Sequence, residues 1–263
     1  MDVPLFLVML VLGLVGSFFS GLLGIGGAII NYPLILYVPA MAGVAHFSAN
    51  EVSSISMFQV FFASLSGVLA FRQNSKAGPA AINKGLVLYM GSSILAGSLI
   101  GGFLSGRLSG DIINLIYGIL AVLAVILMLI PRKGKEDGAD PLSYNKWIAA
   151  GSAFAVGIVS GIVGAGGAFI LIPIMLTVLA IPTRTTIASS LAIVFLSAVG
   201  GVLGKFTGGD IPLWPTVLTV VGSVIGAPLG SWVSSKINVK ILRYGLVVLI
   251  AITAVKVWSS ILD

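Results

Sequence analysis

Ser20–Leu36 reads SGLLGIGGAIINYPLIL. Glycines at 21, 24, 26 and 27 fall in a charge-free run with apolar sequence on both sides. Glycine is a poor helix residue, roughly 0.5–1 kcal/mol worse than alanine in a helix interior, so this cluster breaks a helix. A soluble domain would put such a break in a polar loop. Here nothing polar surrounds it, and the break falls where water is scarce.

The whole chain has the same character. Its 263 residues are 58% hydrophobic and only 8% charged. A soluble domain carries roughly 25% charged residues, so this chain cannot cover a globular surface and its solvent is lipid. Cysteine is absent and histidine occurs once, at His46, which excludes thiol chemistry and argues against a polyhistidine metal site. No cofactor is expected. The net charge of +6 reports membrane orientation here and not nucleic-acid binding. The stretch MDVPLFLVML lacks a basic n-region, so the first apolar segment reads as a retained membrane segment.

The sequence predicts ten apolar segments, near 4–23, 28–45, 51–71, 80–105, 112–130, 147–163, 168–181, 186–204, 213–234 and 240–260. The solvated stretch PRKGKEDGADPLSYNK, residues 131–146, leaves five on each side. This divides the chain into a first membrane repeat (1–130), a cytoplasmic linker (131–146) and a second membrane repeat (147–263). The halves match. Ser160–Leu176 reads SGIVGAGGAFILIPIML, identical to Ser20–Leu36 at nine of seventeen positions. Val52-Ser53-Ser54-Ile55 echoes Ala188-Ser189-Ser190-Leu191, Gly67-Val68-Leu69 equals Gly201-Val202-Leu203, and Tyr117-Gly118 matches Tyr244-Gly245. Matches kept in one order mark an internal duplication.

Charge sets the topology. If every segment crosses once, eleven Lys and Arg fall on one face; Arg107, Lys205 and Lys256 fall on the other. By the positive-inside rule the basic face is cytoplasmic and both termini lie outside. Five segments per half is odd, so the second half is inverted relative to the first, a common transporter architecture. The same parity holds if segments 1–2 and 6–7 are re-entrant pairs.

Broken helices at matching places in two halves point to a transport site. A helix restarting at Ala28 or Ala168 exposes N–H groups without acceptors, and its dipole adds partial positive charge. Glycine lets an anion approach that backbone closely. The expected anion site is therefore Gly24, Gly26, Gly27 and Ala28 with Gly164, Gly166, Gly167 and Ala168. Ser20 and Ser160 lie one turn earlier and can donate hydroxyls. Ser53, Ser54, Ser189 and Ser190 are expected to line the cavity; the alternative is that they bond back to their own helix carbonyls. Gly97/Gly101 and Gly226/Gly230 read as helix-packing pairs, while Gly21 and Gly161 fit either role. Pro33 and Pro173 read as structural kinks.

Glu51 is the acidic residue nearest a membrane interior, where a carboxylate would suggest proton coupling. Ser48-Ala49-Asn50-Glu51 also fits a capping box, the reading favoured here. His46 reads as a surface loop residue. Asn31 and Gln59 lack polar counterparts in the second half; they either make the site asymmetric or hydrogen-bond between helices. Trp147, Trp214 and Trp258 read as interfacial anchors.

The doubled SGLLGIGGAIINYPLIL/SGIVGAGGAFILIPIML resembles the signature of the TauE/SafE family, the sulfite exporters. ANEVSSI (49–55) and TIASSLA (186–192) resemble that family's A-T-S-L stretches, with Ser for Thr. GKFTGGDIPLW, from Gly204, is similar to its short linker, which often has His where this chain has Lys205. The resemblance implies outward transport of a small anion, such as sulfite or sulfoacetate, across a prokaryotic plasma membrane.

The expectation is thus an all-α polytopic membrane transporter of two inverted five-segment repeats. It would use no catalysis and bind no nucleic acid, with lipid and a small anion as partners. A cation-coupled porter would want cavity carboxylates, which are scarce. An intramembrane enzyme would want a nucleophile–base pair or metal set. A subunit that only anchors a partner would have no use for broken helices.

Overall fold

The computed structural model describes residues 3–23, 28–74, 83–129, 144–208, 210–234, 255 and 258–259. Its elements are helices: α1 (Val3–Leu23), α2 (Ala28–Met41), α3 (Ala49–Asn74), α4 (Lys84–Ser105), α5 (Gly110–Leu129), α6 (Lys146–Val163), α7 (Ala168–Thr177), α8 (Thr183–Gly208) and α9 (Leu213–Ser234). They follow nine of the ten expected segments. The tenth, near 240–260, lies outside the described residues apart from Val255, Trp258 and Ser259, as does the first glycine turn, Gly24–Gly27.

Six helices, α1, α3, α4, α6, α8 and α9, are long and apolar enough to cross a bilayer. Large apolar side chains face outward along them and along α5, as on Val217, Val221, Val224 and Leu229 of α9 and on Leu115, Ile119 and Ile126 of α5. A surface of that kind is stable against acyl chains and not against water. The protein is a multi-pass membrane protein. α7 differs: ten residues span about 15 Å, half the hydrocarbon thickness, so it cannot cross alone.

Small residues fix how the helices meet. A Cβ on Gly97 or Gly101 of α4 would strike the backbone carbonyls of Phe154 or Ile158 on α6. These pairs advance together along both helices, so α4 and α6 run parallel. Gly200 and Gly204 place α8 against Leu95 and Leu99 of α4 in the same sense. α1 lies parallel along α9, with Gly13 on Thr219 and Gly21 on Ala227. The packing reading holds for Gly97, Gly101, Gly226 and Gly230, and it also settles Gly21 and Gly161. Each half therefore lends its first helix to the fourth helix of the other. α3 and α8 run antiparallel between these pairs, Met57 meeting Gly201 and Gly67 meeting Leu191.

Polar contacts lock the short helices in place. Tyr32 of α2 donates to Asn114 of α5 at 2.8 Å, and its ring stacks on Tyr117 with centroids 4.7 Å apart. Asn145 caps α6 by accepting from the N–H groups of Trp147 and Ile148. Trp147 and Trp214 are exposed at helix starts, as anchors would be. Trp258 instead points inward and donates to Gly118 O at 3.4 Å. His46 is exposed in the α2–α3 connection.

One boundary differs in a way that matters. The segment expected to end at 204 continues to Gly208 and takes Lys205 into its last turn. The expected segment stopped one residue short of that charge. A cation is in fact favourable at a helix C-terminus, where the dipole is negative.

Candidate functional site

The second glycine turn is the break that the sequence predicts. Gly164, Gly166 and Gly167 have φ of 79°, 62° and 77°, the left-handed region that L side chains resist. Every residue from Gly161 to Pro173 is buried. The turn begins beside Ser53 near one end of α3. It then dips inward: Gly166 faces Val60 of α3 and Val194 of α8, while Gly167 faces Ile94 of α4 and Val156 of α6. These neighbours come from the middle of their helices, so α7 starts in the centre of the bundle.

The two sides of the turn are treated differently. Two carbonyls around the end of α6 are satisfied: Ser53 Oγ donates to Ile162 O at 2.6 Å and Ser56 Oγ to Gly164 O at 2.9 Å. The N–H groups of Gly164 and Ala165 both return to Ser160 O. The N-terminus of α7 has no side-chain cap. Gly167 O takes the N–H groups of Ile170 and Leu171, but those of Ala168 and Phe169 find no acceptor among the described residues. Buried N–H groups are almost always paired with protein, water or ligand. Two unpaired donors at the positive end of a helix dipole form a receptor for negative charge.

The remaining expected site residues divide. Ser160 Oγ lies beside Gly167 and donates to Gly157 O at 3.1 Å, so it borders the α7 terminus. Ala168 is buried as the first residue of α7. Ser20 is buried in α1. Ser54 follows the alternative reading, donating to Asn50 O one turn back. Ser190 is buried. Gly24, Gly26 and Gly27 lie outside the described residues, and Ala28 opens α2.

Ser53 and Ser189 are both fully buried, but they do not share a place. Ser53 faces the end of α8 through Lys205, while Ser189, near the start of α8, accepts from the N–H of Asn83 at the N-cap of α4. Sixteen residues of helix separate positions 189 and 205, about 24 Å of rise. One small anion cannot touch both serines, so the single gathered cluster expected from the sequence is corrected to two separate positions at opposite ends of the bundle.

Glu51 forms the capping box. Its carboxylate accepts from the N–H and Oγ of Ser48 at 2.8 and 2.9 Å, and Ser48 Oγ accepts from the Glu51 N–H. Gln59 does hydrogen-bond between helices, donating to Gly13 O and Ser17 Oγ, which leaves its Oε1 unpaired. Asn31 does not: among the described residues neither polar atom of its buried amide finds a partner, in the first turn of α2 and against Gly16. A buried amide with all of its hydrogen bonds unmade is a place where water or a polar ligand fits.

The residue that sequence reading missed is Lys205. It is fully buried, with its ammonium donating to Ser53 Oγ at 2.6 Å and to Ser105 Oγ. The available signal was its register: four residues after Gly201, which meets Met57 of α3, and one after Gly204, which meets Leu99 of α4, it falls on the side of α8 between α3 and α4.

Comparison with known proteins gives one consistent picture. The model of the family described as Sulfite exporter TauE/SafE matches residues 9–257. The chain is 25% identical to the probable membrane transporter protein YunE of Bacillus subtilis, over 89% of this chain and 90% of that protein. It is 27% identical to a probable membrane transporter protein of Xylella fastidiosa, over 94% and 93%. It is 23% identical to one from Haemophilus influenzae, over 96% and 97%. No solved structure matches the chain.

Proposed function

The chain belongs to the sulfite exporter TauE/SafE family, and on that premise we propose that it is a secondary transporter moving a small anion, sulfite or an organosulfonate such as sulfoacetate, outward across a prokaryotic plasma membrane. The observation that carries the proposal is the buried, uncapped N-terminus of α7, with the unpaired N–H groups of Ala168 and Phe169 at mid-bundle. Backbone left unsatisfied in a membrane is tolerated where it lines a cavity. An anion held there by the dipole and by glycine-exposed backbone needs no charged side chain in contact. Ser160 borders the same spot.

In this reading residues 1–130 and 147–263 are inverted repeats joined by the cytoplasmic linker 131–146, and both termini lie outside. The exchange of α1 onto α9 and of α6 onto α4 supports it, because a two-fold axis in the membrane plane brings like helices into like places. Gly24, Gly26, Gly27 and Ala28 would supply the matching helix start from the other half. Ser189 would meet the anion at the inner end of the path and Ser53 at the outer end. Transport would follow rocking of one helix bundle against the other.

The test is sulfite efflux from liposomes carrying the purified protein, with sulfate, sulfoacetate, taurine and acetate as competitors. Protein-dependent efflux slowed by sulfoacetate and not by taurine, which is zwitterionic, supports the anion reading. A folded protein that moves none of these would contradict it and favour a membrane subunit that anchors a partner.

A further inference from the structure

Lys205 poses a problem that the transport reading does not solve. A lysine inside a bilayer-spanning helix is costly, and such residues face a partner or a pathway. Lys205 is 0% exposed, as are Ser53 and Ser105. Its two acceptors are neutral hydroxyls, one on α3 and one on α4. Both hydroxyls are committed elsewhere as donors: Ser53 to Ile162 O and Ser105 to Gly102 O. An ammonium has three N–H donors, so among the described residues one is left over. Among the described residues no carboxylate pairs with it. Glu51, two residues from Ser53, is occupied with the N–H and hydroxyl of Ser48.

The surroundings explain how the charge is tolerated. α4, α6 and α8 run parallel and end close together at this point, at Ser105, Val163 and Gly208. Helix C-termini carry partial negative charge, which steadies an ammonium without neutralising it. The same place is one step from the proposed path. Ser53 touches Lys205 on one side and the α6–α7 turn on the other, through Ile162 O and the close approach of Gly164.

We infer that Lys205, between α3, α4 and α8, is a second anion-binding residue of the path, receiving a small oxyanion at the outward end after it leaves the α7 N-terminus. The inference rests on the transport reading for the word path. As a binding site it stands on the buried, carboxylate-free ammonium. The chemistry suits an oxyanion of one or two charges with several acceptor oxygens. One oxygen takes the spare N–H, and another can replace a serine hydroxyl as acceptor. A cation would be repelled here by the ammonium.

The experiment compares wild type, Lys205→Met and Lys205→Arg, each purified in detergent and reconstituted. Two readouts are used: the melting temperature with and without sulfite, sulfate or sulfoacetate, and sulfite efflux from liposomes. The expected result is that sulfite raises the melting temperature of Lys205→Met clearly less than that of the wild type, because only the α7 site remains, with Lys205→Arg in between. The Met variant melts at or above the wild-type temperature when no anion is present. Its KM for sulfite rises at least tenfold, and Lys205→Arg recovers part of the loss. Efflux and anion stabilisation unchanged in Lys205→Met would overturn the inference while leaving transport intact. A Met variant that melts far below the wild type without anion would assign the ammonium to holding the helices together, and would also overturn it. Anion stabilisation of the wild type without any efflux, reduced by Lys205→Met, would keep the site and remove the transport reading. A wild type that responds to none of the three anions would end both.

Discussion

At the residue scale, hydroxyls of one chemical kind do different work because of where their partners lie. Ser54 bonds back to its own helix at Asn50 O, and Ser53, its neighbour, joins Lys205 to the end of α6. Ser54→Ala is therefore expected to leave efflux within about twofold of wild type, the small effect of an i−4 back-bond. Ser53→Ala is expected to slow efflux at least tenfold at equal expression, since it leaves both Ile162 O and Lys205 short of a partner. Equal rates in the two variants would contradict the placement of Ser53 on the path. Glu51 behaves as a cap: Glu51→Gln keeps an acceptor and should cost under about 1 kcal/mol of stability. It should also leave the pH profile of efflux unchanged, and a changed profile would restore the proton-coupling reading.

At the element scale, glycine has two roles that the sequence shows as one letter. Gly101 lies where α4 meets the Ile158 carbonyl, and Gly151 on α6 has open space around its Cα. Gly101→Val should abolish folded expression, because the backbones must part. Gly151→Ala should stabilise by roughly 0.5–1 kcal/mol through helix propensity alone. Thermal melts of the purified variants check both. Helix existence and order were legible in the sequence, since nine described helices match expected segments. The glycine turn and the capping box were legible too, from Gly164–Gly167 and from S-x-x-E. The end of α8 was not, because a lysine at the edge of an apolar run does not by itself say whether it is buried or solvated. The separation of Ser53 from Ser189 was legible only through the expected inversion, which puts the starts of the third and eighth segments at opposite faces; repeat matching alone pairs the two serines as equivalents.

At the scale of the whole molecule, the account predicts one orientation and one buried receptor. The chain has no cysteine, so single cysteines can be introduced without background. A cysteine at Ser143, in the linker, should react with an impermeant thiol reagent only from the cytoplasm, and one at Ser109, exposed between α4 and α5, only from outside. The reverse pattern would overturn the charge-based orientation. The exchange of helices between halves makes the fold a single unit, so neither half alone is expected to bind anion or to be stable. The central claim is that a small anion sits on the N-terminus of α7. Its most direct test is a cysteine at Ala168, in protein that still transports, reacted with a small membrane-permeant maleimide with and without sulfoacetate. The account predicts slow modification that sulfoacetate suppresses over the concentrations that saturate its transport. Modification at the same rate with and without sulfoacetate would place the anion elsewhere and contradict the account.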